Sequence, residues 1–465
     1  EKYERLTRAS ELTPDELGGF IARQIIETSQ TVKAIRNLLQ SAYPDTKVIS
    51  VKAGQVSDFR YLFANGIKFR NSDQYKVQPR PEFIKVRELN DFHHAKDAYL
   101  NIVVGNVMSS TFTDDPYSWI KKREGKEYSV RPELLFRASE EYQKSDGRTT
   151  HYPEVQNWDF ANSINLVSST MVRNDILWTR MNYVESSEIS DLQIVPHSDK
   201  TDGILPIKRD SRLAQINKYG GYNSIKGAFF ALIECNNKKG ELERRIVSIP
   251  QIYKDKVDQF VKNKYQGGKV ILSPIKYKSK LKINGFPVHL AGKSSSGLVL
   301  YNGLQLLLEP DEQRYLKRVL KAISKRQQIR GGRQKDQSKD GISRENNSMI
   351  MEAICRKLAL FNAMPGFGEK ANTIRACAGD FSKLALDQQT DAICNMVKIL
   401  RCNAETGNIS SFVPKASFLG KGTMPEDITQ RYENIFLISQ SPAGLYEEQI
   451  DLKTIHPQNL KKKAD

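Results

Sequence analysis

The sequence has no run of about 18 apolar residues, so none of its segments reads as a membrane span. Cysteine is scarce, with only Cys235, Cys355, Cys377, Cys394 and Cys402 among 465 residues. None belongs to a CxxC pair or stands at zinc-finger spacing from a histidine, which argues against a disulfide scaffold and a structural zinc site. They read as reduced thiols of a cytoplasmic protein. Acidic residues are also in deficit: 54 against 71 lysines and arginines, a net charge of +17. Polyanions are the natural counterpart of such an excess, although a basic soluble protein needs no such partner. The opening EKYERLTRAS lacks an initiator methionine and the apolar core of a signal peptide, and reads as cut from a longer chain.

What is present is enough to build cores. Hydrophobic residues make up 39% of the chain, and the mean hydropathy of −0.53 implies a large polar surface. At about 150 residues per domain, the length fits a few domains. Thr13-Pro14-Asp15-Glu16 is a helix start, and Phe20, Ile21, Ile25, Val32, Ile35 and Leu39 form the apolar side of the helix behind it. Thr46–Ala53 alternates as a strand does, and a helix is expected near Ser57–Phe63. Residues 204–308 contain short strand-like runs, with Asn284-Gly285 as a tight-turn signal. Residues 311–402 return to helical period, and strands resume over 406–452. Between the first two helices of that region, Lys325–Gly341 is basic and glycine-containing, either a solvated linker or a loop close to nucleic acid. The pattern is that of an α+β multidomain chain.

One stretch carries possible chemistry: NDFHHAKDAYLN, Asn90–Asn101. Set on a helix, it separates an apolar stripe of Phe92, Ala95, Tyr99, Ile102 and Val103 from a polar row of Asn90, His94, Asp97 and Asn101. His93 flanks that row. An imidazole and a carboxylate one turn apart can hold a divalent ion and handle a proton at a phosphate. The same spacing also describes an ordinary solvated face.

Separated segments, in order, resemble one family. They are TPDELGGFIARQIIET (13–28), VSDFR (56–60), FIKVRELNDFHHAKDAYLN (83–101), DGILPIKRDS (202–211), KYGGYNS (218–224) and LISQSPAGLYEEQIDL (437–452). The chain resembles the C-terminal part of the RNA-guided DNA endonuclease of type II CRISPR systems. That resemblance implies a linker following the HNH nuclease at 1–15, part of an RNase H-like (RuvC) nuclease at 16–190, and a PAM-interacting domain at 191–465. It matches His94 to the family's catalytic histidine and Asp97 to a carboxylate that binds a divalent metal, Mg²⁺ or Mn²⁺. Two such ions about 4 Å apart would activate a water and steady the leaving oxygen.

The family's first nuclease Asp, its metal-binding Glu, the guide-gripping Arg-rich helix and the HNH nuclease have no counterpart in this sequence. The chain alone is therefore expected to be inactive, and to need the N-terminal part as a second polypeptide. Guide RNA and target DNA bearing a PAM duplex would be its other partners, in the bacterial cytoplasm and without a membrane. By the same resemblance, Lys200, Asp202 and Gly203 match a phosphate-holding turn, and Asn223 and Ser224 match residues near the PAM minor groove. Before the LISQS strand no Arg-x-Arg occurs where relatives that prefer two guanines carry it. Lys421, Thr423, Gln430 and Arg431 lie nearest that position and either read the PAM or only build the hairpin. A different reading of the whole chain is a catalytically silent basic nucleic-acid-binding protein related to transposon-encoded RNA-guided nucleases.

Overall fold

The computed structural model describes residues 30–49, 51, 53–68, 72–80, 83–111, 141–143, 147–151, 165–166, 169, 180–186, 189–190, 194–195, 204–208, 211–222, 225–304, 306–328, 341–401, 403, 405–414, 417–441 and 446–456. The chain divides into two compact units. One joins Glu1–Phe83 to His94–Asn165; the other joins Ile84–His93 to Leu166–Asp465.

In the first unit residues 30–42 are helical, and Val32, Ile35 and Leu39, expected on an apolar side, are exposed. The strand expected at Thr46–Ala53 is not formed among its described residues: 46–49 and 51 are irregular, and Ala53 opens the Ala53–Asn65 helix. Ile49 and Val51 instead lie against Gly105, where a Cβ would stand 3.5 and 3.1 Å from their methyl groups. Their alternation is therefore met by a helix surface and not by a neighbouring strand. The Ala53–Asn65 helix buries Val56, Phe59, Phe63 and Ala64, and ends at Gly66, whose φ of 72° permits a left-handed turn. Phe83 is fully buried and stacks on Phe63 with ring centroids 5.2 Å apart.

The Phe92–Thr111 helix begins two residues later than Asn90, which lies in the preceding loop. Its buried residues include Phe92, His93, Lys96, Leu100, Val103 and Val104. The expected stripe is thus corrected: Ala95 and Ile102 face solvent, and the packed row follows spacings of three and four from His93. Residue type is a poor guide to this face, since polar His93 and Lys96 are buried at 6% and 5% exposure while Ile102 is 64% exposed.

The second unit is built around two antiparallel sheets. In the three-stranded one, Gly227–Asn236 lies between Leu242–Pro250 and Lys269–Ile275. The run from Ala228 to Ile233 is buried throughout, which explains its continuous apolar sequence. The Val257–Lys264 helix, not foreseen from the sequence, packs Phe260 and Val261 into the core with Ala231, Val247 and Ile249.

The six-stranded sheet has the order Gly422–Met424, Gly297–Asn302, Phe286–Ser294, Lys280–Ile283, Ile435–Gln440, Glu447–Asp451. Asn284 and Gly285 take positive φ of 46° and 84° in the tight turn between two of these strands. Between the sheet's two sequence halves lie the helices Pro310–Gln328, Arg344–Leu358, Gly368–Ala376 and Leu386–Arg401. Most of the basic stretch Lys325–Gly341 falls outside the described residues. Buried Asn347 knits the helices together, accepting from the Tyr315 hydroxyl at 2.9 Å and donating to Thr390 Oγ1 at 3.4 Å.

Candidate functional site

His94 and Asp97 occupy adjacent turns of the Phe92–Thr111 helix. His94 is exposed, whereas the Asp97 side chain keeps only 22% of its surface. The carboxylate is engaged: Asp97 Oδ1 accepts from Arg60 Nη1 in an ion pair. Arg60 comes from the Ala53–Asn65 helix, and its Nη2 also donates to Ser57 Oγ, one turn earlier, at 3.2 Å. Asn101, placed in the same polar row, donates to the main-chain carbonyl of Asp97 at 2.9 Å. His93 is buried, with Nδ1 3.0 Å from the Asn90 carbonyl, and so serves the helix start.

A carboxylate oxygen and an imidazole are suitable donor types for a divalent ion. Their number is insufficient. Among the described residues no cluster of three or more His, Cys, Asp or Glu could hold a metal. Further ligands must come from elsewhere. Arg60 does not stand out in the sequence, although VSDFR contains it; Asp97 lies 37 residues away on a separate helix, and no local spacing signals that pairing.

Residues 420–434 do not form the expected hairpin: Gly422–Met424 and Ile435–Gln440 are separated by three strands of the six-stranded sheet, and the segment that links them is fastened at three places in the second unit. Strand Gly422–Met424 pairs with Gly297–Asn302, and Thr423 N also donates to Pro365 O at 3.1 Å. Gly366 has φ of 68°, and a Cβ there would stand 2.5 Å from Thr423 O and Oγ1. Farther on, Ile246 N donates to Glu426 O and Ile428 N to Arg244 O, at 2.8 and 2.9 Å. Arg244 N donates to Thr429 Oγ1 at 2.8 Å. Finally, Asn284 Oδ1 accepts from the amides of Glu433 and Asn434. Between these fastenings Gln430 and Arg431 are exposed; Lys421 and Thr423 are half-buried.

Lys200, Asp202, Gly203, Asn223 and Ser224 lie outside the described residues. Their flanks are neighbours: Leu205 pairs with Tyr222, and Pro206 with Gly221. Gly221 is required there, since any Cβ would collide with the Leu205 carbonyl. Ile194–Val195 completes this small sheet on the other side of Gly221-Tyr222.

The family described as the PAM-interacting domain of CRISPR-associated endonuclease Cas9 matches residues 187–448, more than half of the chain. The chain belongs to the Cas9 family. A second profile, the Cas9 RuvC domain, matches residues 76–186, the interval that contains His94 and Asp97. CRISPR-associated endonuclease Cas9 of Streptococcus mutans is 25% identical over 280 residues, covering 52% of this chain and 18% of that protein. The Cas9 of Listeria innocua is 25% identical over 278 residues, covering 53% of this chain and 18% of the relative. The matched part is thus about a fifth of the length of these Cas9 relatives. Mixed helices and sheets fit a multidomain α+β member of the family.

Proposed function

We propose that this chain is part of an RNA-guided CRISPR DNA endonuclease, in which it completes an RNase H-like RuvC site and binds the PAM duplex. The observation that supports this most directly is the exposed His94 one helical turn from Asp97, inside the interval similar to the Cas9 RuvC domain. Asp97, with acids from the rest of the enzyme, would hold Mg²⁺ or Mn²⁺. When bound, the metal supplies charge stabilisation at the scissile phosphate and lowers the pKa of a coordinated water. His94, at the helix surface, accepts a proton from the attacking water or orients it. Asn101 braces the helix beneath Asp97 through its bond to the main chain.

The remainder, 191–465, carries the PAM-contacting role. Gln430 and Arg431, held out between pinned segments, offer an amide and a guanidinium suited to base edges or phosphates. Lys421 and Thr423 stand at the other end of the segment, by the edge strand Gly422–Met424. Lys200, Asp202 and Gly203 are assigned to the target-strand phosphate and Asn223 and Ser224 to the minor groove, by resemblance of their sequence segments to the family. Guide RNA and the N-terminal part of the enzyme are the other partners, and the bacterial cytoplasm is the compartment.

The test is reconstitution with the N-terminal part, guide RNA, a PAM-bearing target and Mg²⁺. The non-target strand is cut by the assembly and not by this chain alone. His94→Ala reduces that cut by about 10²–10⁴-fold, in line with loss of a general base, and Asp97→Ala abolishes it. Unchanged cleavage in both variants defeats the assignment. The second reading, a catalytically silent nucleic-acid-binding protein, draws on the lack of a multi-carboxylate cluster among the described residues. It predicts DNA binding without cleavage in the same assembly.

A further inference from the structure

Three cations converge on one carboxylate of the 420–434 segment. Glu426 Oε2 accepts from Arg245 Nη2 at 3.4 Å, and its Oε1 accepts from Lys293 Nζ. The glutamate keeps only 12% of its side-chain surface, whereas Lys293 keeps 41%. Arg245 is shared, because its Nη1 also donates to Glu243 Oε1 at 3.1 Å. Lys264 makes no ion pair among the described residues; its ammonium lies 5.8 Å from the centre of the Tyr265 ring, and the Arg245 guanidinium lies 5.7 Å from the same centre. Burial, and next the charge of Lys293, push the Lys264 ammonium below the usual lysine value, while Glu426 opposes them. Like charges are thus crowded together, and Glu426 is what relieves the crowding. Arg245 and Lys264 line an open cavity of about 570 Å³ together with Lys238 and Lys239. Lys293 lies just before the turn that ends at Gly297, where a Cβ would stand 2.3 Å from the Met424 carbonyl oxygen. The cations therefore adjoin the segment assigned to the PAM.

We propose that Arg245, Lys264 and Lys293 form a site for backbone phosphates of the DNA duplex beside the PAM, and that Glu426 limits its strength. This rests on the reading of the 420–434 segment as PAM-contacting, and adds a sequence-independent grip with a restraint built into it. Duplex DNA is the ligand favoured here because Arg245 and Glu426 belong to the fastening of that segment itself: Arg245 forms a β-bridge with Asp427, and Ile246 N donates to Glu426 O. Phosphate contacts hold and orient a protein on DNA but carry no sequence information. A phosphate that approaches Lys293 meets a cation already partly neutralised by Glu426. The restraint shortens stays on DNA that lacks the motif, and leaves base contacts to decide which duplex is retained.

The experiment measures duplex binding across a series of salt concentrations, with the full chain assembled with the N-terminal part and guide RNA. Two duplexes are compared, one carrying the motif recovered from randomised flanks and one lacking it, neither complementary to the guide. Glu426→Gln keeps the shape and an acceptor but removes the charge. It binds the motif-free duplex about five- to tenfold more tightly at about 0.1 M salt, as one added phosphate contact would, and log K falls more steeply with log salt by about 0.9. Lys293→Gln acts in the opposite direction, weaker on both duplexes and less steep. Combining the two substitutions removes most of the gain. A merely structural ion pair predicts that both single variants bind more weakly, since each loosens the segment, and that result overturns the proposal. Should Glu426→Gln not fold, Lys264→Gln and Lys293→Gln decide, and unchanged affinity and salt slope in both is fatal. Shifts in guide RNA affinity without shifts in duplex affinity also overturn it. If the parent assembly binds both duplexes equally, the PAM reading of the segment falls and this inference with it. If the parent discriminates and Glu426→Gln fails to tighten the motif-free duplex, only the restraint by Glu426 is refuted.

Discussion

Asn90 donates its side-chain amide to the main-chain carbonyl of Leu306, 216 residues further along the chain, at 2.9 Å. Its Oδ1 meanwhile accepts from the amide of Phe92, the first residue of the helix that carries His94. One side chain therefore fixes a helix start and ties that start to a distant loop of the same unit. Asn90→Ala removes both contacts and costs about 1–2 kcal/mol of stability in chemical denaturation. Asn90→Asp keeps the acceptor and loses the donor, so it retains part of that stability. Equal losses in the two variants would mean that only the Leu306 contact matters.

Asn347 is fully buried with Tyr315, Gln389 and Thr390 around it. Truncation to alanine leaves several polar groups without their partner in a dry core. Asn347→Ala therefore costs about 2–3 kcal/mol, more than an ordinary surface truncation. Urea unfolding of the variant measures it.

Burial pushes the His289 imidazole down to about 4, while the Lys278 carbonyl beside Nδ1 at 3.1 Å pulls in the opposite direction. Between pH 6.5 and 4 the unfolded chain binds a proton at this position that the folded chain refuses. The contribution of His289 to stability is thus complete above pH 6.5 and is lost as the pH falls toward 4, by about 3 kcal/mol at most. His289→Gln flattens this part of the stability–pH curve, as thermal unfolding across the window would reveal.

If the 420–434 segment reads the PAM, selection of cleaved targets from a library with randomised flanks will change when its polar groups change. Lys421→Ala and Arg431→Ala alter the recovered motif or relax it at one position, by about 1–3 kcal/mol per lost base contact. An identical motif from both variants would reduce these residues to scaffold. Gly366→Ala acts differently. It forces a Cβ toward Thr423, so it destabilises the fold and lowers cleavage of every PAM alike.

The sequence revealed elements whose signals are local. Asn284-Gly285 announced its turn through residue type alone, and the alternating strands around it followed. The His94 helix was also legible, as was the last part of the helix expected from Thr13 to Leu39, met over 30–42; its start and Phe20, Ile21 and Ile25 lie outside the described residues. Failures came where a partner distant in sequence decides the outcome. TKVISVKA looked like a strand, but Ile49 and Val51 meet the helix surface at Gly105. The face of the His94 helix was misjudged because Lys96 and His93 are buried and Ile102 is not. At the candidate site the polar pair was visible from its spacing of three, yet the cation on Asp97 was not: Arg60 lies 37 positions away, and no periodicity links separate helices.

The three fastenings of the 420–434 segment bear on which of its side chains can be replaced. A mount bolted to Pro365, to Arg244 and to Asn284 does not shift when its tips are exchanged. Under the proposed PAM-contacting role, the chemical groups at 421, 430 and 431 can be exchanged singly without undoing the contacts of the frame that presents them.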